Sequence, residues 1–118
     1  MKTFISGVPY CRNKNRGRID ATRIWTERVV AGCSQLPRVA QPCAVEIEFI
    51  LPMNKYPKDF PYGPDLDNLL KRFLDAVQKS GALANDSFIV SLAARKRMVR
   101  DDEETGVHVE FRPLKGDA

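Results

Sequence analysis

Leu66, Leu69, Leu70, Phe73, Leu74 and Val77 stand at helical spacing, and little else in this chain limits its fold as tightly. Recurrence at i, i+3, i+4 and i+7 puts them on one apolar face of a helix. Gly81 supplies a C-terminal stop. On the other side, Pro52, Pro57, Pro61 and Pro64 exclude helix from residues 52–64. The spacing therefore predicts a helix from Leu66 to about Lys79, entered from a long proline-rich loop. Its greasy face needs a partner. The clearest one is the run Cys43 to Leu51, where Val45, Ile47 and Phe49 alternate with Glu46 and Glu48, the period of a half-buried strand.

The polar side of the same helix carries a concentration of charge. Asp65 and Asp67 stand at its start, Asn68 follows, and Lys71 lies four residues after Asp67. Asp75 is four residues further on, so these side chains share one side of the helix. Two readings are open. Asp65 can cap the helix while Asp67 and Asn68 complement its dipole, with Asp67–Lys71 and Lys71–Asp75 as ordinary surface pairs. Alternatively, Asp-x-Asp joined by a third acid from another element suits a hard cation such as Mg²⁺, which takes one or two carboxylates and keeps several waters. Asp86 is the candidate third acid, because it stands just before the apolar run Phe88-Ile89-Val90, where a strand begins.

The remaining chain predicts the other elements. Lys2 to Pro9 reads as a strand and Asp20 to Cys33 as a helix, with Trp25 in the core. Gln35 to Gln41 is a linker. Phe88 to Val99 is a strand with a bend expected near Ala93-Ala94, and the acidic run Asp101 to Glu104 is a hairpin tip. Thr105 to Phe111 returns as a strand with Val107, Val109 and Phe111 on one face and His108 and Glu110 on the other. Arg112 to Ala118 is expected to be loose. The order β-α-β-loop-α-β-β points to an α+β domain, a small mixed β-sheet with two main helices. At 118 residues the chain is expected to form one domain, 1–118, with a single core.

Charge is unevenly spread. Residues 1–40 hold eight Lys/Arg against two Asp/Glu, and residues 41–118 hold eleven against thirteen. The loop from Tyr10 to Arg18 contains Arg12, Lys14, Arg16 and Arg18 and no acid. Lys55 and Lys58 sit among Tyr56, Phe60 and Tyr62 in the proline-rich loop, and Arg95, Lys96 and Arg97 cluster late in the sequence. Basic residues of this kind contact phosphates, and interleaved aromatics can stack on bases; solvation alone also accounts for them. Cys11, Cys33 and Cys43 are odd in number and lack metal-ligand spacing, which argues against a disulfide framework and a zinc knuckle. No apolar run approaches the about eighteen residues of a membrane span. The N-terminus lacks a signal-like apolar segment, so a cytoplasmic location is expected.

The pattern Asp65-x-Asp67-Asn68-x-x-Lys71, followed by Leu74-Asp75 and by Asp86 ahead of a strand carrying Lys96, resembles the RusA-type Holliday junction resolvases. The resemblance extends from about Phe49 to Phe111. It implies an endonuclease that cuts four-way DNA junctions in pairs of symmetric nicks, acting as a homodimer with Mg²⁺, for which Mn²⁺ is the substitute to expect. It also implies metal roles for Asp65, Asp67 and Asp86 and a catalytic role for Lys71. Many members carry two consecutive acids where this chain has Asn85-Asp86, so the metal role carries over to Asp86 alone. Two other readings remain at this point. One is a branched-DNA-binding module of the same fold without catalysis; the other is a metal-dependent phosphoesterase acting on small substrates.

Overall fold

The structure, a computed structural model, describes residues 1–10, 19–52 and 65–114, the side chains of 19 and 20 excepted. The basic residues Arg12, Lys14, Arg16 and Arg18, and Lys55 and Lys58 of the proline-rich loop, lie outside the described residues. The elements run β1 (Lys2–Ser6), α1 (Ile19–Cys33), β2 (Cys43–Leu51), α2 (Leu66–Ser80), a single 3₁₀ turn (Asp86–Phe88), β3 (Ile89–Met98) and β4 (Gly106–Pro113). This is the expected order, and the class is α+β.

One four-stranded sheet has the strand order β1-β4-β2-β3. β4 pairs antiparallel with both β1 and β2, whereas β2 and β3 are parallel. A parallel pair needs a crossover, and α2 is that crossover. α2 therefore begins beyond the end of β2 and runs back to the start of β3.

Alternation decides which face of the sheet the helices cover. Val45, Ile47, Phe49 and Leu51 of β2, Val107, Val109 and Phe111 of β4, and Ile5 of β1 are buried in one cluster with Trp25, Val29 and Cys33 of α1 and Leu69, Phe73, Ala76 and Val77 of α2. The rings of Phe49 and Phe73 meet edge to face, with centroids 5.8 Å apart and planes at 89°. That contact pins the middle of α2 over β2. The other face of the sheet presents Glu46, Glu48, His108 and Glu110 and carries no helix among the described residues.

Glycine sets two junctions. Gly81 ends α2 in the left-handed conformation (φ 90°), and its N–H donates to the Gln78 carbonyl at 3.0 Å. Gly106 opens β4 at φ 156°, and a β-carbon there would collide with the Ile5 carbonyl oxygen. β1 can lie against β4 at that point only because no side chain intervenes.

Several expectations need correction. β1 ends at Ser6 rather than Pro9. The irregularity in β3 lies near Val90, where the register with β2 shifts between Cys43 and Ala44, not at Ala93-Ala94. The linker after α1 is tied down at Val39, which exchanges backbone hydrogen bonds with Ala82 and Ala84 at 2.7 and 2.9 Å. The expected loose tail is ordered at its start: Arg112 and Pro113 finish β4, and the Leu114 N–H donates to the Pro42 carbonyl.

Candidate active site

Asp65 occupies the N-cap position of α2 with extended backbone angles (φ −64°, ψ 139°). Its carbonyl accepts from the Leu69 N–H at 3.0 Å, the first bond of the helix. Its side chain makes no capping bond; the carboxylate instead accepts a long hydrogen bond of 3.5 Å from the Asn68 amide. An N-cap aspartate normally turns its carboxylate onto the first free N–H groups of the helix. Here that carboxylate is exposed and not engaged in capping, and Asp67, one residue into the helix, is exposed as well. Lys71 is exposed on the next turn, and among the described residues it makes no ion pair with Asp67 or Asp75. The start of α2 thus offers carboxylate oxygens of Asp65 and Asp67 with an ammonium group one turn away. By donor type the pair suits a hard, hydrated cation, which takes oxygen ligands from only one or two carboxylates.

Asp86 is elsewhere. It opens the 3₁₀ turn before β3, and its N–H donates to Gln78 Oε1 at 2.8 Å. Gln78 lies near the C-terminal end of α2. Eleven residues separate it from Asp67, about 16 Å of helix at 1.5 Å per residue. No group of three His, Cys, Asp or Glu side chains that could hold a metal is present among the described residues. Asp65, Asp67 and Asp86 therefore do not form one site within one chain. Asn85 has a plain structural role: its Oδ1 accepts from the Ser87 N–H at 2.8 Å and caps the turn that carries Asp86. Asparagine does this about as well as aspartate.

The basic end of β3 is partly committed to acids on the open sheet face. Glu48 Oε2 accepts from Arg95 Nε at 2.8 Å and from Arg97 Nε at 3.0 Å. Arg97 also donates to both carboxylate oxygens of Glu103, at 2.8 Å to Oε1, and Glu103 Oε1 accepts from the Arg100 N–H at 2.9 Å. The Arg97 side chain is only 21% exposed, whereas that of Arg95 is 75% exposed. Burial alone would raise the Glu48 carboxyl, but hydrogen bonds and charge from Arg97 and Arg95 hold it below its usual range. The Arg97 hydrogen bonds and the Arg100 N–H bring the Glu103 carboxyl down to about 2. Glu103 in turn raises Arg97, which stays protonated. The acidic run Asp101 to Glu104 is thus not merely a solvated tip, since one of its acids clamps β3. Spacing gave no sign of this pair.

A groove of roughly 710 Å³ lies on the open face, bordered by Lys2, Glu46, Glu48, Arg95, His108 and Glu110. Its charge is mixed, and it faces away from α2. Glu46, paired with Arg112 at 3.2 Å, and Glu48 consequently do not extend the acid pair at the start of α2. His108 packs on the Phe4 ring at 4.6 Å. Trp25 is buried, as expected of a core residue. Cys33 and Cys43 are buried free thiols, and burial raises both, Cys33 to about 11.

Among the described residues no helix is long and apolar enough to cross a membrane. Comparison with curated proteins gives no match. The family model described as endodeoxyribonuclease RusA matches residues 12–112, which takes in both helices, the turn at Asp86 and the whole β2-α2-β3 crossover. The chain belongs to the RusA endodeoxyribonuclease family.

Proposed function

We propose that the chain is a Mg²⁺-dependent, homodimeric, cytoplasmic Holliday junction resolvase that makes paired symmetric cuts in four-way DNA. Family membership supports the nuclease activity. The observation that carries the site is the Asp65 carboxylate, which stands at a helix start without capping it, beside an exposed Asp67. Asp65 and Asp67 would hold the cation. When bound, Mg²⁺ supplies an activated water and positive charge against the scissile phosphate.

The protein's own groups divide the remaining work. Lys71, exposed one turn along α2, places an ammonium where negative charge develops on the phosphate or the leaving oxygen. The Asn68 amide stands beside the Asp65 carboxylate, 3.5 Å away. Asp75 lies on the same side as Lys71 and adds to the negative field around it. Arg95 and Lys96 of β3, with Arg12, Lys14, Arg16, Arg18, Lys55 and Lys58, contact the DNA backbone. Such contacts position DNA without reading its sequence. Arg97 contributes charge at the same end of β3 while holding Glu48 and Glu103. A four-way junction has near two-fold symmetry, and a symmetric dimer presents two sites to it.

The test compares a labelled four-way junction with a linear duplex of the same arms, with Mg²⁺ or with chelator, for the wild type and Asp67→Asn. Paired nicks confined to the junction, lost in Asp67→Asn and with chelator, are expected. Tight junction binding without any nick would replace this reading with a non-catalytic binding module. Turnover of small phosphate esters with weak DNA binding would replace it with a phosphoesterase.

A further inference from the structure

Given the nuclease reading above, on which this step rests, we infer that Lys96 is a catalytic residue: its ammonium meets the scissile phosphate beside Lys71, while Arg95 and Arg97 serve the opposite face of the sheet.

Register divides the basic cluster of β3 between two faces. Arg95 and Arg97 stand beside Glu48 and Ile50 of β2, and both arginines donate to Glu48 on the open face. Lys96 stands beside Phe49, which points the other way, into the core. Neighbours in register share a face. Of the three cations, Lys96 is therefore the one on the side that carries α2. It is half-buried there, although β3 is an outer strand. A lysine so placed lays its stem on apolar neighbours and carries its ammonium to their margin. Ala94, on the same face of β3, packs onto the core, as do Leu70 and Leu74 of α2.

The helix turns its polar flank toward β3. Gln78 follows Lys71 by seven residues and Asp67 by eleven, about two and three turns, so the three share one flank. Gln78 Oε1 accepts from the N–H of Asp86, which stands three residues before β3. The flank of Asp67 and Lys71 thus faces the side of the layer where Lys96 lies. Height along the helix follows from the contact between Phe49 and Phe73. Lys96 is level with Phe49, and so with Phe73. Lys71 stands two residues from Phe73, about 3 Å along the axis, and Asp67 six, about 9 Å, both toward the helix start. Two ammonium groups therefore border one strip of surface between α2 and β3, with the carboxylates of Asp65 and Asp67 toward its end.

Cations placed side by side repel, and an anion between them reverses the sign of the interaction. The scissile phosphate is that anion. As it reacts, charge spreads over its equatorial oxygens. Lys71 and Lys96 are compact point charges with three donors each, so they meet different oxygens at once. A cation already fixed on the sheet needs no rearrangement when that charge develops. The role is electrostatic, and no proton is transferred.

The test uses the full chain as wild type, Lys96→Gln and Lys96→Arg. Binding is measured with chelator on a four-way junction and on the same junction with a methylphosphonate at each position that the wild type cuts. Lys96→Gln should bind the natural junction more weakly than the wild type, and the two should bind the neutralised junction equally. Single-turnover nicking with Mg²⁺ at saturating protein should be slower in Lys96→Gln by about 10²–10³-fold, the loss expected on removing one preorganised donor to developing charge. Lys96→Arg should recover part of that rate, with the urea midpoint unchanged. A binding difference that persists on the neutralised junction puts Lys96 on another phosphate and overturns the inference, as does a wild-type rate at saturation in Lys96→Gln. Equal losses in both variants with a lowered urea midpoint give Lys96 a structural role alone and overturn it too. In each of these cases an active wild type leaves the proposed function standing. A wild type that cuts no junction overturns the nuclease reading, and Lys96 as a catalytic residue with it.

Discussion

Phe73→Leu isolates the contact that seats the helix of the active site. Phe73 is fully buried, and its ring meets Phe49 edge to face at 5.8 Å. Replacing it with leucine removes the aromatic pair, worth about 0.5–1.5 kcal/mol. It also leaves a shape mismatch costing up to about 1.5 kcal/mol. Together these predict a loss of about 0.5–3 kcal/mol. For a chain of this length that lowers Tm by about 2–12 °C. Phe73→Ala should cost about 3–5 kcal/mol, a large share of the about 5–15 kcal/mol that holds a small domain. The assay is urea unfolding followed through Trp25, the only tryptophan and a buried one, so its emission reports the core directly. A double-mutant cycle with Phe49→Leu should return a coupling of about 0.5–1.5 kcal/mol. Nicking per folded molecule at 20 °C should be unchanged within about twofold, because Phe73 lies on the face of α2 opposite Asp67 and Lys71. A coupling near zero would refute the reasoning, since it would mean that Phe73 does not rest on Phe49 and that α2 meets the sheet elsewhere.

Glycine positions separate two kinds of strain. Gly106→Ala should cost about 1–3 kcal/mol by calorimetry or urea midpoint, because the new β-carbon meets the Ile5 carbonyl as well as an unfavourable φ. Gly81→Ala, with nothing within 4 Å, should cost only the left-handed penalty of about 1–2 kcal/mol; a costlier Gly81→Ala would contradict the packing. Glu103→Gln should destabilise in a pH-dependent way. The Glu103 carboxyl falls from its ordinary 4.5 to about 2 in the folded chain, so its stabilisation is present above about pH 4.5 and fades as pH drops toward 2. The urea midpoints of wild type and variant should therefore differ at pH 6 and converge near pH 2; a constant gap would show that the clamp is not electrostatic.

Much of this fold was legible because its signals are periodic. The 3.6-residue stripe of α2 and the two-residue alternation of β2 and β4 each report one buried face, and Cys43–Leu51 was read to the residue. The start of α2 was equally legible, since Pro64, Asp65 and the first leucines mark it. What periodicity does not encode is partnership across the chain. Arg97 with Glu103, Val39 with Leu83, and the bulge at Val90 depend on which strands become neighbours. β3 was the least regular strand to read for the same reason. It is an edge, half exposed on both faces, so its side chains face no alternation of solvent and core.

Asp86 shows where sequence spacing misleads and topology corrects it. In sequence it follows Asp67 by nineteen residues and precedes a strand, which suits a third ligand for the pair at Asp65. The same nineteen residues, however, are almost entirely the α2 crossover. A crossover between parallel strands must return to the starting end of the sheet, so it carries whatever follows it away from whatever preceded it. An acid before the helix and an acid after it are thereby forced to opposite ends of the same layer. Within one chain, therefore, Asp86 does not join Asp65 and Asp67.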